Sequence, residues 1–265
     1  MILAHILITS NVDEVTALPD AIAKNMSSFR SAFPEIEQKL FTNFSIKELL
    51  KAHFGDEVKR AFESLVPYAY KADLARYCIM YVYGGVYADI GIRCIRSWHR
   101  FNLNPNFEMS KCNQLYIFSD FGGQNPVDVV NGMFAASAGH PALAKAIEMV
   151  CKNVRNRYYG QSPLCPTGPT LFSNAIRAAG ITSHCTWGES RWLLPHNKFT
   201  RLIGSWGLAK FNNRSDLIAE RTHALYFQDE LLAMRVKRGG GSLLELGLRG
   251  GNEYTKLWNE RNVYK

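Results

Sequence analysis

The chain has 265 residues, of which 47% are hydrophobic and 20% charged, a globular composition that excludes a disordered or fibrous protein. It is long enough to bury a substantial core, and no apolar run approaches the roughly 20 residues of a membrane span. The net charge of +8 is uneven: from Arg191 to Lys265, 13 Lys/Arg face 7 Asp/Glu, which suits an anionic partner such as a nucleotide diphosphate, nucleic acid or an acidic membrane surface.

In chain order, "ILAHILIT" reads as a buried first strand rather than a secretion signal, because no basic leader precedes it and no small-residue cleavage site follows. A polar turn "SNVDEV" leads to a helical stretch from about residue 17 to 33, and "EQKLFTN" is a short strand. "SIKELLKAHF" has helical periodicity, with Ser45 as N-cap and Glu48 three residues on as its capping-box partner. "PYAYKADLARYCIMYVYGG" opens on Pro67 and stops at Gly84–Gly85, the expected start and end of a four-turn helix. "VYADI" follows as a strand. Further on come a strand at "QLYIFSDF", a helix opened by Pro141, and the loop "TGPT" running into a helix that stops at Gly180.

Strands alternating with helices imply an α/β fold with a largely parallel sheet. No internal repeat or low-complexity linker divides the chain. The expectation is a single domain over 1–265, with a core at 1–180 and a basic portion at 181–265. The six cysteines are scattered without a CxxC pair, which points to neither a zinc site nor a disulfide framework, and to a reducing, cytoplasmic setting.

Chemistry concentrates after Pro67. Asp73 and Arg76 stand three apart and share a helix face. Strand alternation puts Tyr87 and Asp89 on one side and Val86 and Ala88 on the other. The Gly-Gly stop folds the strand back on the helix, so Asp73, Arg76 and Asp89 are expected to converge at one end of the sheet, where open α/β sheets bind ligands. Thr9 and Ser10 follow the first strand at the same end.

This stretch resembles the signature of glycosyltransferases with a DxD sugar-binding region: capsule and lipopolysaccharide transferases, fungal initiating mannosyltransferases and, more distantly, large glucosylating toxins. The matching positions are Asp73, Arg76, Tyr77, Tyr81, Gly84, Gly85, Tyr87 and Asp89. "VVNGMFAASAGHP", with Asn131 and His140, and "TGPTLF" resemble later family segments more weakly, as does His223; the two histidines read as structural.

The resemblance implies a glycosyltransferase A-type fold, a Rossmann-like mixed sheet with a small C-terminal portion. It implies a retaining hexosyltransferase using a UDP- or GDP-linked sugar. Asp73 and Arg76 would bind the donor hexose, Asp89 the sugar, ribose and a Mn²⁺ or Mg²⁺ ion, and Tyr87 would shape the nucleotide pocket. Gly84, Gly85 and Asn131 complete the donor contacts, with Thr9 and Ser10 near the base.

The expected acceptor is a cell-surface glycan in polysaccharide biosynthesis, reached from the cytoplasm or the inner face of a membrane. Transfer to modified DNA bases and non-catalytic nucleotide-sugar binding are the alternatives. One position departs from the family pattern: Gly91 stands where the second carboxylate of the DxD pair belongs. Three arrangements answer this. Asp229 or Glu230 supplies the missing ligand; fixed positive charge from "RVKRGGGS" (235–242), including Lys237 and Arg238, replaces the metal; or catalysis is lost.

Overall fold

β1 (Ile2–Leu7) is buried at every position, as a parallel strand covered on both faces requires. The computed structural model describes residues 1–10, 18–96, 114–120, 128–182, 185–194, 212–213, 222–236, 243–248 and 252–265. Among these, β1 lies between β2 (Gln38–Thr42) and β3 (Gly85–Ala88), parallel to both. Next along the sheet come β6 (Met133–Ala136), antiparallel to β3, and β5 (Leu115–Ser119). Then follow β7 (Cys185–Leu194), β9 (Thr222–Phe227), β10 (Glu230–Arg235) and finally β4 (Ile92–Cys94), while the short β8 (Asn212–Asn213) pairs off β7. The α/β class and the mixed sheet implied by the resemblance are present, and strands on both sides of residue 180 share one sheet. The largely parallel sheet read from the alternation is not found, because β3, β6 and β5 pair antiparallel and so do β7, β9, β10 and β4.

This order forces a curl. Only three residues, Asp89 to Gly91, join β3 to β4, a reach of about 14 Å between flanking Cα atoms. Yet β4 lies six strand steps from β3 in the pairing order, which would be roughly 29 Å if the sheet were flat. The sheet therefore bends until its edge strand returns beside β3, and the Asp89 turn sits at that seam.

α1 (Asp20–Ala32) covers one face, where Phe29 and Phe33 pack with Leu3, Val86, Ala88 and Met133. The other face carries α2 (Asn43–His53), α3 (Asp56–Ser64), α4 (Tyr68–Tyr83), α5 (Pro141–Arg155) and α6 (Pro169–Ala178), packed on the alternate side chains Ile2, Ala4, Ile6 and Tyr87. α7 (Tyr254–Asn259) lies near the chain end, with the Tyr254 ring 6.0 Å from Tyr70. α4 is buried on nearly all sides from Asp73 to Met80, the pattern of a central helix rather than a surface one.

Gly84 ends α4 with φ +60°, its amide donating to the Met80 carbonyl at 2.9 Å. A Cβ there would come within 2.5 Å of the Ala138 nitrogen, and one on Gly85 within 2.0 Å of the Ile2 carbonyl oxygen. Only glycine permits this tight return into β3.

Two local expectations change. The N-cap of α2 is Thr42, not Ser45: the Thr42 amide donates to Ser45 Oγ at 2.8 Å, so Ser45 is the third helical residue of the box and the helix starts a turn earlier. α3 was not evident in the sequence; it is short and charged, and buries only Ala61 and Phe62.

Candidate active site

The site is built where α4, the end of β3 and the start of β6 meet. Three residues apart on α4, Asp73 and Arg76 pair at 3.2 Å, and Arg76 also reaches Asp89 at 3.3 Å. The guanidinium donates to the Asn131 carbonyl at 2.7 Å and lies 4.8 Å over the Tyr87 ring. Asp73 accepts from Asn131 Nδ2 at 2.9 Å and from Thr167 Oγ1 at 2.8 Å. Asp89 Oδ1 accepts from the Tyr87 hydroxyl at 2.6 Å, and the Asp89 amide donates to the Gly132 carbonyl at 2.8 Å. The three charged residues predicted to converge do so.

They do not converge as equals. Asp73 and Arg76 are 7% and 5% exposed, with their polar atoms engaged by protein, whereas the Asp89 side chain is 35% exposed. Asp89 Oδ2 takes no hydrogen bond from the described residues, and Gly132 keeps it clear: a Cβ at 132 would stand 2.8 Å from it. Asp89 is thus the outward-facing carboxylate of this centre, and Asp73 with Arg76 forms the floor beneath it.

Burial dominates the electrostatics. It pushes the Asp73 carboxyl upward, against Arg76, which pulls it down. Burial alone would lower the Arg76 guanidinium, but Asp89, then Tyr87 and Asp73, outweigh it and leave the net displacement upward. The floor is therefore a fixed positive centre held between two carboxylates.

On β1, His5 is buried and pushed down to about 4, against the opposing pull of the Ala88 carbonyl and Asp89. The neutral ring fits its surroundings: Nδ1–H donates to Ala88 O at 2.7 Å and Nε2 accepts from Gln38 Nε2 at 2.9 Å.

Beside this floor lies a cavity lined by Ile92, Asp120, Val130, Asn131, Ser190 and Arg235, among others. It occupies the inside of the curl. At ≈ 60 Å³ it is far below the roughly 300–1,000 Å³ of small-molecule pockets. His223 also lines it, with Nδ1 3.2 Å from Ser190 Oγ and its ring 3.7 Å from that of Trp192. His140 is an N-cap, accepting from the Ala142 amide at 3.2 Å at the start of α5.

Other candidates read from the sequence separate from this centre. Gly84 and Gly85 lie at the opposite end of β3 from Asp89, packed on Ala138 and Ile2 backbone; their role is the strand return, not donor approach. Thr9 and Ser10 lie beyond the carboxyl end of β1, at the same sheet edge as Asp89; Thr9 Oγ1 is buried without a hydrogen-bond partner among the described residues. Lys237 and Arg238 lie outside the described residues. Asp229 and Glu230 sit at the β9–β10 hairpin, paired with Arg191 and Arg96. They are at the far end of β10 from Gly91, whose carbonyl accepts from the Val236 amide at 2.9 Å, so neither supplies the missing ligand.

Sequence reading missed Thr167 as the second support of Asp73, Gly132 as the spacer at Asp89, and Asp120 and Ser190 in the cavity. A metal ion at Asp89 finds a poor donor set among the described residues: no group of three His, Cys, Asp or Glu forms there, and Asp89 already shares a guanidinium.

The fold is a mixed α/β sheet with an acid–arginine centre at the carboxyl edge of β3, the edge at which open α/β sheets bind ligands. Residues 18–112 match the model of a family described as the glycosyltransferase sugar-binding region containing DXD motif; the position read from the sequence as that motif is Asp89-Ile90-Gly91. The chain is 26% identical over 167 residues to an uncharacterized glycosyltransferase of Acanthamoeba polyphaga mimivirus, covering 62% of this chain and 61% of that protein.

It is also 32% identical over 116 residues to inositol phosphoceramide mannosyltransferase 1 of Schizosaccharomyces pombe, covering 43% of this chain and 32% of the yeast protein. The chain thus spans under two thirds of these relatives. Among solved structures it is similar to the PaToxG glycosyltransferase, with a TM-score of 0.48, 14% identity, and coverage of 69% of this chain and 70% of that one. No helix among the described residues is long and apolar enough to cross a membrane.

Proposed function

We propose that this protein is a retaining hexosyltransferase that moves a sugar from a UDP- or GDP-linked donor to an acceptor hydroxyl. The observation that carries this reading is Asp89: a partly exposed carboxylate at the carboxyl end of β3 in the sugar-binding region, with one oxygen fixed by Tyr87 and Arg76 and the other open. An oxygen held this way accepts from donor hydroxyls with little ordering cost at the moment of binding.

Arg76 orients Asp89 from below; Asp73 and the Asn131 carbonyl in turn hold Arg76, and Thr167 supports Asp73. Tyr87 fixes the Asp89 rotamer. The relatives named as a glycosyltransferase and a mannosyltransferase support the reaction class and put GDP-mannose in the first donor panel. A surface glycan is the acceptor class we favour, since it offers the hydroxyl this chemistry needs.

The test is to incubate the protein with UDP-glucose, UDP-galactose and GDP-mannose and measure released nucleotide diphosphate. Turnover of one donor, lost in Asp89→Ala, is expected. Donor binding without turnover under any condition would instead make the chain a nucleotide-sugar-binding protein, and binding of none would end the reading.

A further inference from the structure

Breaking a sugar–phosphate bond builds negative charge on the departing nucleotide diphosphate, and the site must oppose it with positive charge. A divalent ion held by two carboxylates is the usual device, but position 91 is a buried glycine and the described residues form no three-ligand group. Positive charge is nevertheless present at this point. Arg235, the last residue of β10, pairs with Ile92, the residue after Gly91. The next amide along, that of Val236, binds the Gly91 carbonyl. Arg235 lines the cavity with Ile92 and Asn131, beside the Asp89 floor.

Its surroundings distinguish it from the ion-paired arginines nearby. Arg76 is paired with two carboxylates, Arg191 with Glu189 and Asp229, and Arg96 with Glu230. Arg93, on the adjoining strand, donates to Asn25 Oδ1 of α1. Arg235 is ion-paired with no carboxylate among the described residues, although Asp120 lines the same cavity. Partly burying a guanidinium without a counter-ion is costly unless an anion is to arrive. Guanidinium also matches phosphate geometry with two parallel hydrogen bonds.

We propose that Arg235 is the diphosphate-binding cation of the donor site, taking the place of the metal that Gly91 does not help to hold, so that donor binding is independent of divalent ions. This rests on the nucleotide-sugar reading and adds to it a residue from outside the sugar-binding region.

The experiment is calorimetric titration of the purified full chain with UDP and with GDP, in EDTA and in Mn²⁺, for the native protein, Arg235→Ala and Arg235→Lys. Uridine and guanosine serve as phosphate-free probes, and a thermal melt of each variant checks folding. Affinity for the preferred diphosphate should agree in EDTA and Mn²⁺ within about threefold. It should fall at least about tenfold, equal to 1.4 kcal/mol, in Arg235→Ala and recover in part in Arg235→Lys, while nucleoside binding stays unchanged.

Loss of native binding in EDTA overturns the proposal. So does native-like diphosphate binding by Arg235→Ala, or by Arg235→Lys should the alanine variant fail to fold; either result leaves the donor reading standing. A native protein that binds neither nucleotide under either condition overturns the donor reading as well.

Discussion

On the α4–β3 side of the site, each charged group is matched: Arg76 faces Asp73 and Asp89, and Asp73 is further held by Asn131 and Thr167. On the β9–β10 side, Arg235 lines the cavity without a carboxylate partner among the described residues. Asp73, Arg76 and Asp89 of the first wall lie within residues 18–112, which match the sugar-binding-region family model, with Asn131 and Thr167 added from later in the chain. The second wall comes from the C-terminal strands that the curl carries back to β4. Satisfied buried charges hold a structure in one arrangement; an unsatisfied one is poised for a ligand. The two walls should therefore respond to mutation in opposite ways, the first in stability and the second in binding.

Arg76→Ala gives the largest expected effect. It leaves Asp73 buried and Asp89 partly buried with no cation between them, and breaking a buried pair in this way costs about 3–5 kcal/mol. Urea unfolding measures it. Arg235→Ala in the same assay should stay within about 0.5 kcal/mol of the native protein, as for a substitution that removes no internal partner. Equal costs for the two would erase the distinction between the walls.

Asp89→Ala probes the boundary between them. The variant leaves the buried Tyr87 hydroxyl without its acceptor and Arg76 with one carboxylate, so stability should fall by about 1–3 kcal/mol, less than for Arg76→Ala. Donor turnover should fall by about 10²–10³-fold, the scale of losing one fixed group at a reacting centre. Released nucleotide diphosphate, followed alongside a melt, reads both. Native turnover would remove Asp89 from the chemistry.

The first wall was legible because its signals are local. Pro67 and Gly84–Gly85 bracket α4, a three-residue spacing aligns Asp73 with Arg76, and period-two alternation sets Tyr87 and Asp89 together. The second wall was not. Arg235 meets Ile92 only through strand pairing across the curl, and a basic run at 235–242 gives no sign that Arg235 lines a cavity. Thr167 reaches Asp73 across 94 residues of sequence.

Asp229 and Glu230 misled for the same reason. A two-residue hairpin turn at Gln228 and Asp229, both at positive φ, puts them at the far end of β10. Ser45 misled differently: Thr42 and Ser45 each fit a capping pattern, and only the backbone decides between them.

Protonation of His5 offers a third test of the matched wall. His5 is pushed down to about 4 from 6.5 by burial, so the native state holds it neutral and the unfolded chain takes up the proton first as pH drops. Its contribution is complete above pH 6.5 and is lost as pH falls towards 4, amounting to about 3 kcal/mol over that window. Unfolding free energy measured at pH 7 and pH 4 should show this loss, and His5→Gln should flatten that part of the curve. An unchanged slope in the variant would assign the acid sensitivity to other groups.

Thr167→Val carries the smallest effect and sharpens the comparison most. The hydroxyl is fully buried and donates to Asp73 Oδ2 at 2.8 Å; valine keeps the shape and removes the donor. A hydrogen bond to a charged group contributes about 1.5–3 kcal/mol, so stability should drop by about 2 kcal/mol. The sequence pattern alone would make Asp73 a ligand of the donor hexose, and then a change in its support should weaken donor binding tenfold or more. The geometry instead puts Asp73 under Arg76, 7% exposed, where it acts through Asp89. On that basis Thr167→Val lowers the melting temperature while nucleotide-sugar affinity stays within about threefold of native, a gap of about 0.7 kcal/mol. A tenfold loss of affinity without a change in melting would return Asp73 to the sugar and dissolve the floor.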